Sequence, residues 1–364
     1  MKALRCGYTT GACAAACALV SCLWQRDGRC PQQVEIMLPA GQRYVPEIRP
    51  LSPGRCAVTK DAGDDPDVTD GCEVWAEAEI LEEDGPVTFL AGEGVGTVTL
   101  PGLALAPGEA AVNPVPRRMI EEAVRSVIGA RAARVTVGIT GGRELAGRTF
   151  NPRLGIEGGL SILGTTGIVR PMSEEALKES IRLELSVKRA QGAEILALVF
   201  GSQGEAAMRR IAPGLCCVQM SNYVGFALEA AAGLGFRRIL LCGQPGKLVK
   251  VAGGSMQTHS AVSGGRRETL CAHLAMMGAP QALLRQAMDS VTLEGMIAPV
   301  AAAGFSGVWD RLCEAAAGFA ASRVRGAAET GALMTDASGR VIGASRCALL
   351  WINGERYGGE DRDG

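Results

Sequence analysis

Thr9 and Thr10 lie between Gly7 and Gly11, just ahead of an alanine-rich run. Free N–H groups and the dipole at a helix N-terminus favour an anion, so a substrate carboxylate would suit this place. Plain capping of the helix by threonine is the alternative. From Lys60 to Gly71 the chain carries Asp61, Asp64, Asp65, Asp67 and Asp70. Such crowding could hold a cation or a base. Its spacing does not match a calcium loop, and Asp with Pro also makes ordinary solvated turns. A long stretch, Gly141 to Ser173, contains Arg148, Arg153 and a Gly164-Thr165-Thr166-Gly167 turn. Long loops inside compact domains tend to be functional. The arginines can grip carboxylates in bidentate fashion, so this loop reads as a cradle for a polyanion or as a rigid crossover.

Three further turns follow apolar runs: Gly201-Ser202-Gln203-Gly204-Glu205, Ser221-Asn222-Tyr223-Val224-Gly225 and Gly243-Gln244-Pro245. Open α/β sheets bind ligands at the carboxyl ends of their strands. Together the turns could line a nucleoside pocket; each alone is what any α/β fold has. His259, one of two histidines, sits in a Gly- and Ser-rich loop. It is a candidate proton shuttle or substrate contact, against a merely hydrogen-bonded loop histidine. Gly92-Glu93-Gly94-Val95-Gly96 lacks the long helix a dinucleotide fingerprint requires and reads as a tight loop.

The elements that must position these residues fall into two patterns. Thr9 or Thr10 caps a helix over about 11–25, followed by short alternating segments at 34–38, 44–49, 56–60, 72–80 and 87–90 that predict strands. Pro114 and Pro116 open a helix to about residue 128. Beyond it, continuous apolar runs at 134–140, 194–200, 215–219 and 238–242 read as buried parallel strands. Helical segments at 174–190, 203–211 and 222–233 alternate with them. The prediction is an N-terminal α+β domain, 1–132, followed by a doubly wound Rossmann-like α/β domain, 133–305. A C-terminal segment, 306–364, of helix and short strands is free to return to the first domain. Order is expected to end near 341–344, and Gly358–Gly364 to be a fraying tail.

Composition bounds the class. A formal net charge of -1 gives no reason to expect a nucleic-acid or membrane partner. Thirteen cysteines, an odd number, are spread along the chain, which fits small buried thiols in a reducing cytoplasm rather than a disulfide framework. Cys13 and Cys17 alone are too few ligands for a metal site, so none is expected. Lys2 and Arg5 before an apolar run, with Leu19-Val20-Ser21-Cys22, imitate a lipoprotein signal. The Gly7–Gly11 turn and helix cap inside that run argue against one.

In their order, several long strings resemble the CbiD family, the cobalt-precorrin-5B (C1)-methyltransferases of anaerobic cobalamin synthesis. They are Leu4-Arg5-x-Gly7-Tyr8-Thr9-Thr10-Gly11, Val58–Asp67, Asn113-Pro114-Val115-Pro116-Arg117, the stretch from Phe150 to Ser173, Met220–Gly225, Gly246-Lys247-Leu248-Val249-Lys250 and Thr258-His259-Ser260. The resemblance implies a two-domain fold, S-adenosylmethionine as methyl donor and a cobalt-corrinoid acceptor, cobalt entering only within that substrate. It further implies that neighbouring enzymes of the route are potential partners. On that footing Thr9, Thr10, Arg117, Arg148, Arg153, Thr165 and Thr166 are expected at the corrinoid. Gly201, Gly204, Glu205, Ser221, Asn222, Gly225 and Gly243 are expected at the donor, with Asp61 and His259 as candidates for moving protons. A corrinoid carrier without catalysis and a nicotinamide-dependent corrinoid reductase stay open as alternatives.

Overall fold

A computed structural model describes residues 4–358, with side chains as far as Ile352. The chain forms two compact units, Met1–Ala176 and Leu177–Gly364.

In the first unit a short strand β1 (Gly7–Tyr8) leads into α1 (Thr10–Asp27). Thr9 caps this helix by accepting from the Ala12 N–H at 3.2 Å, and Gly28 closes it in the left-handed conformation at φ 71°. Every residue from Thr10 to Cys22 is buried. A helix apolar on all sides belongs inside a core, and α1 is the central rod of this unit. Around it stand β2 (Arg49–Ser52), β3 (Arg55–Thr59), β4 (Glu73–Asp84) and β5 (Val87–Ala91). Next come α2 (Pro114–Ile128) and β6 (Arg131–Ile139). The five strands form one sheet in the order β2-β3-β4-β6-β5, antiparallel except for the last pair. Val74, Ala76, Val135, Val137 and Ile139 face the core with α1 and α2.

The second unit holds α3 (Glu174–Ala190), β8 (Ile195–Val199), α4 (Ser202–Ile211) and β9 (Cys216–Gln219); β7 (Ile168–Val169) precedes them in the first. Then follow α5 (Val224–Gly233), β10 (Arg238–Gly243) and α6 (Pro245–Ala252). After three further helices come α7 (Val308–Val324), β11 (Glu329–Thr335), β12 (Val341–Ala344) and α8 (Arg346–Gly358). The sheet order is β9-β8-β10-β11-β12, with four parallel strands and an antiparallel edge, β12. Leu196, Leu198, Ile239 and Leu241 pack under α5, α6 and α7, while Ala197, Val199, Leu240 and Cys242 pack under α4 and α8. Strands covered on both faces have no polar side, hence their continuous apolar runs.

Two expectations need correcting. The run at 134–140 belongs to the first sheet as β6, so the unit boundary moves from 132/133 to Ala176/Leu177. Val135, Val137 and Ile139 are buried while Arg134 is exposed and Thr136 half-buried, the alternation of a strand covered on one face. Residues 306–358 stay with the second unit: β11 pairs with β10, and α7 packs against β11, α6 and α5. Order also continues past Ala344 through α8, whose Ala348 and Ile352 are buried. Of the expected tail, residues 359–364 lie outside the described residues. Among the described residues no helix is long and apolar enough to cross a membrane.

Candidate functional site

The N-terminal motifs converge at the start of α1. β1 pairs antiparallel with β7, setting Gly7 opposite Val169 and Tyr8 opposite Ile168. The Tyr8 N–H donates to the Asp61 carbonyl at 2.7 Å, and the Gly11 N–H to the Leu163 carbonyl at 2.9 Å. A Cβ on Gly7 would overlap the backbone of Ala62, and one on Gly164 would overlap the Thr9 side chain. Only glycine lets these strands of chain approach so closely. Three motifs far apart in sequence (residues 5–11, 58–71 and 163–169) are therefore one structure.

This architecture uses up much of what sequence assigned to ligand binding. Thr9 is 8% and Thr10 4% exposed. The Thr10 hydroxyl accepts from the Leu163 N–H at 2.9 Å and the Thr9 backbone N–H donates to the Gly167 carbonyl at 3.0 Å, so both residues fasten the 163–167 loop to the helix. Arg117 donates to the carbonyls of Val112 at 2.8 Å and Ala110 at 3.2 Å and to Glu109 at 2.7 Å, and lies over the Phe89 ring. It staples its own loop. Asp61 receives two hydrogen bonds from the Arg5 guanidinium, one of 2.8 Å, and another from the Gly63 N–H at 2.9 Å. Arg5 first, and then Gly63, hold its carboxyl down to about 2. A carboxylate so stabilised is a poor proton acceptor near neutrality, and the base expected there is an ion-pair partner instead.

Arg148, Thr165 and Thr166 remain exposed. Thr166 shapes its turn, its hydroxyl accepting from the Ile168 N–H at 3.3 Å while its carbonyl accepts from Ala40 at 3.1 Å. Arg148 follows the short helix Gly142–Ala146, and its side chain has no hydrogen-bond or ion-pair partner among the described residues. Arg153 is half-buried in the single-turn helix Asn151–Leu154. Beneath the acidic loop lies a pair that sequence reasoning missed. Lys60, 2% exposed, donates to Asp67 at 2.8 Å. Asp67 also accepts from the Thr69 N–H at 2.8 Å and hydroxyl at 2.7 Å. Burial raises the Asp67 carboxyl, and Lys60 with Thr69 more than offsets it, so the net shift is downward.

In the second unit the strand order β9-β8-β10 sets Gly201, Ser221 and Gly243 at the same sheet edge, the carboxyl ends of adjacent parallel strands. Gly201 has φ 103° with open space where a side chain would stand. Ser221 has φ 52° without being glycine, and strain of this kind gathers at binding sites. A Cβ on Gly243 would overlap the Phe200 ring. Across the β8/β10 gap the Gln244 amide donates to Gln203 at 3.0 Å. Here α4 and α6 leave on opposite faces of the sheet.

The other expected donor residues have local duties. Gly204 seats α4 against Val199, where a Cβ would come within 3.1 Å of that side chain. The Gly225 N–H donates to the Met256 carbonyl at 3.0 Å. Glu205, 7% exposed, accepts from Arg209 and Gln219, each at 2.6 Å, and lines a cleft of about 330 Å³ with Lys188, Cys216 and Cys217. Asn222 turns inward to Lys247 and Thr258. His259 is exposed, and its Nδ1 accepts from the Ala261 N–H at 3.2 Å, which leaves Nε2 to carry the proton.

The cysteines have no nucleophilic setting in the core. Burial pushes Cys13 up to about 11 and Cys22 and Cys242 up to about 12, so all three stay thiols at neutral pH. Cys13 meets the Tyr44 hydroxyl at 3.4 Å, and Cys17 donates to the Val74 carbonyl at 3.3 Å. Among the described residues no three His, Cys, Asp or Glu side chains gather as metal ligands would.

A mixed α/β protein whose second unit carries a largely parallel sheet is the class these features define. The CbiD family profile matches residues 1–171, and the CbiD C-terminal domain profile matches residues 257–346. The chain is 46% identical over 321 residues to the cobalt-precorrin-5B C(1)-methyltransferase of Citrobacter koseri, covering 86% of this chain and 84% of that protein. It is 42% identical over 342 residues to the enzyme of the same name from Desulfitobacterium hafniense, covering 92% and 88%. The crystal structure of cobalamin biosynthesis protein (cbiD) from Archaeoglobus fulgidus aligns at 26% identity over 76% of this chain and 85% of that one, with a TM-score of 0.38. The chain belongs to the CbiD family.

Proposed function

We propose that this chain methylates carbon 1 of cobalt-precorrin-5B with S-adenosylmethionine, giving cobalt-precorrin-6A in the anaerobic, early-cobalt route to cobalamin. The observation that carries the reading is the 42% to 46% identity to methyltransferases of that name across more than four-fifths of both chains. It works in the cytoplasm, alongside enzymes that supply and consume its corrinoid.

The second unit reads as a doubly wound, Rossmann-like domain. Support comes from its strand order, which corresponds to 2-1-3-4-5 when its strands are counted along the chain. Its reversal point lies between β8 and β10, and ligands of such sheets bind outside the strands' carboxyl ends at that point. The donor is assigned to this crevice, against Gly201, Ser221 and Gly243. The corrinoid, fringed with carboxylates, is assigned to the first unit's exposed loops, with Arg148, Arg153, Thr165 and Thr166 as its contacts.

The donor's sulfonium makes its methyl carbon electrophilic. A carbon–carbon bond forms from the macrocycle's π electrons at C1 as the methyl–sulfur bond breaks, and sulfur keeps the electron pair as S-adenosylhomocysteine. The displacement needs collinear sulfur, methyl and acceptor carbon, and holding them so can supply roughly 7–11 kcal/mol in the best cases. Any proton released from the macrocycle goes to water or to His259.

Incubated without oxygen with donor and cobalt-precorrin-5B, the protein should yield a corrinoid heavier by one methylene unit, carrying the label of an isotopically labelled donor methyl. Corrinoid binding without methyl transfer, or consumption of nicotinamide, would sink the reading. Within it, Arg148→Ala should weaken corrinoid binding about tenfold, since a hydrogen bond to a charged group contributes about 1.5–3 kcal/mol. S-adenosylhomocysteine affinity should stay at the wild-type value. Equal corrinoid affinity in a titration of the two proteins would remove Arg148 from the site.

A further inference from the structure

Lys247 and Lys250 stand on one face of α6, three residues apart, and both reach under the loop 255–263. The Lys250 ammonium, on a residue 3% exposed, donates to the carbonyls of Thr258 at 3.0 Å and Ser263 at 2.8 Å. The Lys247 ammonium, half-buried, donates to the Asn222 amide oxygen at 2.6 Å and to the same Thr258 carbonyl at 3.4 Å. Two cations thus share one carbonyl oxygen. Neither has a carboxylate partner among the described residues. Glu294 approaches this helix only at the Gly246 N–H, at 3.4 Å. Arg266 adds a third positive charge, and burial foremost, then Lys247 and Arg266, press the Lys250 ammonium toward its neutral form.

Burying a charge without an opposite charge is costly, and buried charges are nearly always paired. This pair is repelled, desolvated and held only by neutral oxygens. Each ammonium has three N–H donors and uses two here. A carboxylate arriving at the half-buried Lys247 would take its one unused donor and relieve the repulsion. The loop around it is built for contact. Lys247 shares Asn222 with Thr258, and Ser221 next to it has its left-handed backbone at the carboxyl end of β9.

We propose that Lys247, backed by Lys250, is a carboxylate-binding subsite at the edge of the second sheet. The inference rests on the methyltransferase reading, which supplies two sources of that chemistry: the α-carboxylate of the donor's methionyl part and the peripheral carboxylates of the corrinoid.

Lys247→Gln keeps a donor for Asn222 and removes the charge; Lys247→Arg keeps the charge. Calorimetry would compare S-adenosylhomocysteine, its decarboxylated analogue and cobalt-precorrin-5B on the full chain. If the donor is the source, wild type binds the decarboxylated analogue at least about tenfold more weakly than S-adenosylhomocysteine, a difference of about 1.4 kcal/mol. Lys247→Gln then loses that discrimination, and Lys247→Arg keeps most of it. If the corrinoid is the source, Lys247→Gln weakens corrinoid binding about tenfold and leaves S-adenosylhomocysteine alone. Wild-type indifference to the donor carboxylate, joined to unchanged corrinoid affinity in Lys247→Gln, overturns the subsite. Should Lys247→Gln fail to fold, Lys247→Met takes its place in the same titrations, and the same outcomes decide. Wild-type protein that binds none of these ligands overturns the methyltransferase reading itself.

Discussion

Replacing Asp67 with Asn should destabilise the first unit by about 3 kcal/mol at neutral pH, the size expected when one partner of a buried ion pair is removed. The substitution can leave the oxygen that accepts from Thr69 and replaces the oxygen that accepts from Lys60 by an amide NH2, so both the charge and the acceptor facing Lys60 are lost. Lys60 is then a buried ammonium without its counter-ion, and its side chain is 1% exposed. A second change, Lys60→Met, in the Asp67→Asn background should recover most of the loss, because it removes the buried ammonium left without a counter-ion. The pH dependence follows from the direction of the Asp67 shift. Its folded carboxyl titrates below the unfolded value of about 3.9. The stabilisation is therefore complete above that value and fades as pH falls through the folded one. Urea midpoints of wild type and Asp67→Asn should differ most near neutrality and draw together in acid. A constant difference at every pH would mean that the pair contributes packing and not charge.

Gly243→Val should lower S-adenosylhomocysteine affinity at least about tenfold, or about 1.4 kcal/mol, while corrinoid affinity stays unchanged. The new side chain overlaps the Phe200 ring, which must swing away from the β8/β10 gap. Overpacking of this kind costs about 1–3 kcal/mol of stability, so the thermal midpoint should be read beside the titration. Gly233→Ala is the control: a Cβ there meets nothing, and donor affinity should hold. A folded Gly243→Val protein that binds S-adenosylhomocysteine as wild type does would move the donor away from this edge.

The helices were readable because their signals are local. Thr9 followed by alanines, and Pro114 and Pro116 ahead of a periodic run, act within one or two turns of chain. The strands 195–199, 216–219 and 238–243 were readable because burial on both faces makes their central residues apolar, with Gln219 and Arg238 only at strand ends. The same rule misassigned β6, whose Arg134 and Thr136 alternate with buried Val135, Val137 and Ile139 as in a strand covered on one face. β11 and α8 were missed. The Glu329–Thr335 segment has no Val or Ile, its threonines being its only β-branched residues, and becomes a strand by pairing with β10 and β12.

The sequence alone determined the family, the two-part α/β character and the glycine-bounded turns at the sheet edge, for each is written in contiguous residues. Tertiary structure decided which polar side chains are spent on holding the fold and which are left over. Thr9, Thr10 and Arg117 looked like ligand contacts, and Asp61 like a proton-moving group, until their partners, up to 153 residues away, closed around them. Lys247 and Lys250 are three residues apart in sequence, and only the fold shows that the 255–263 loop covers them without bringing a carboxylate. Hydrogen bonds and charge compensation depend on distance in space, and a linear chain does not carry that distance.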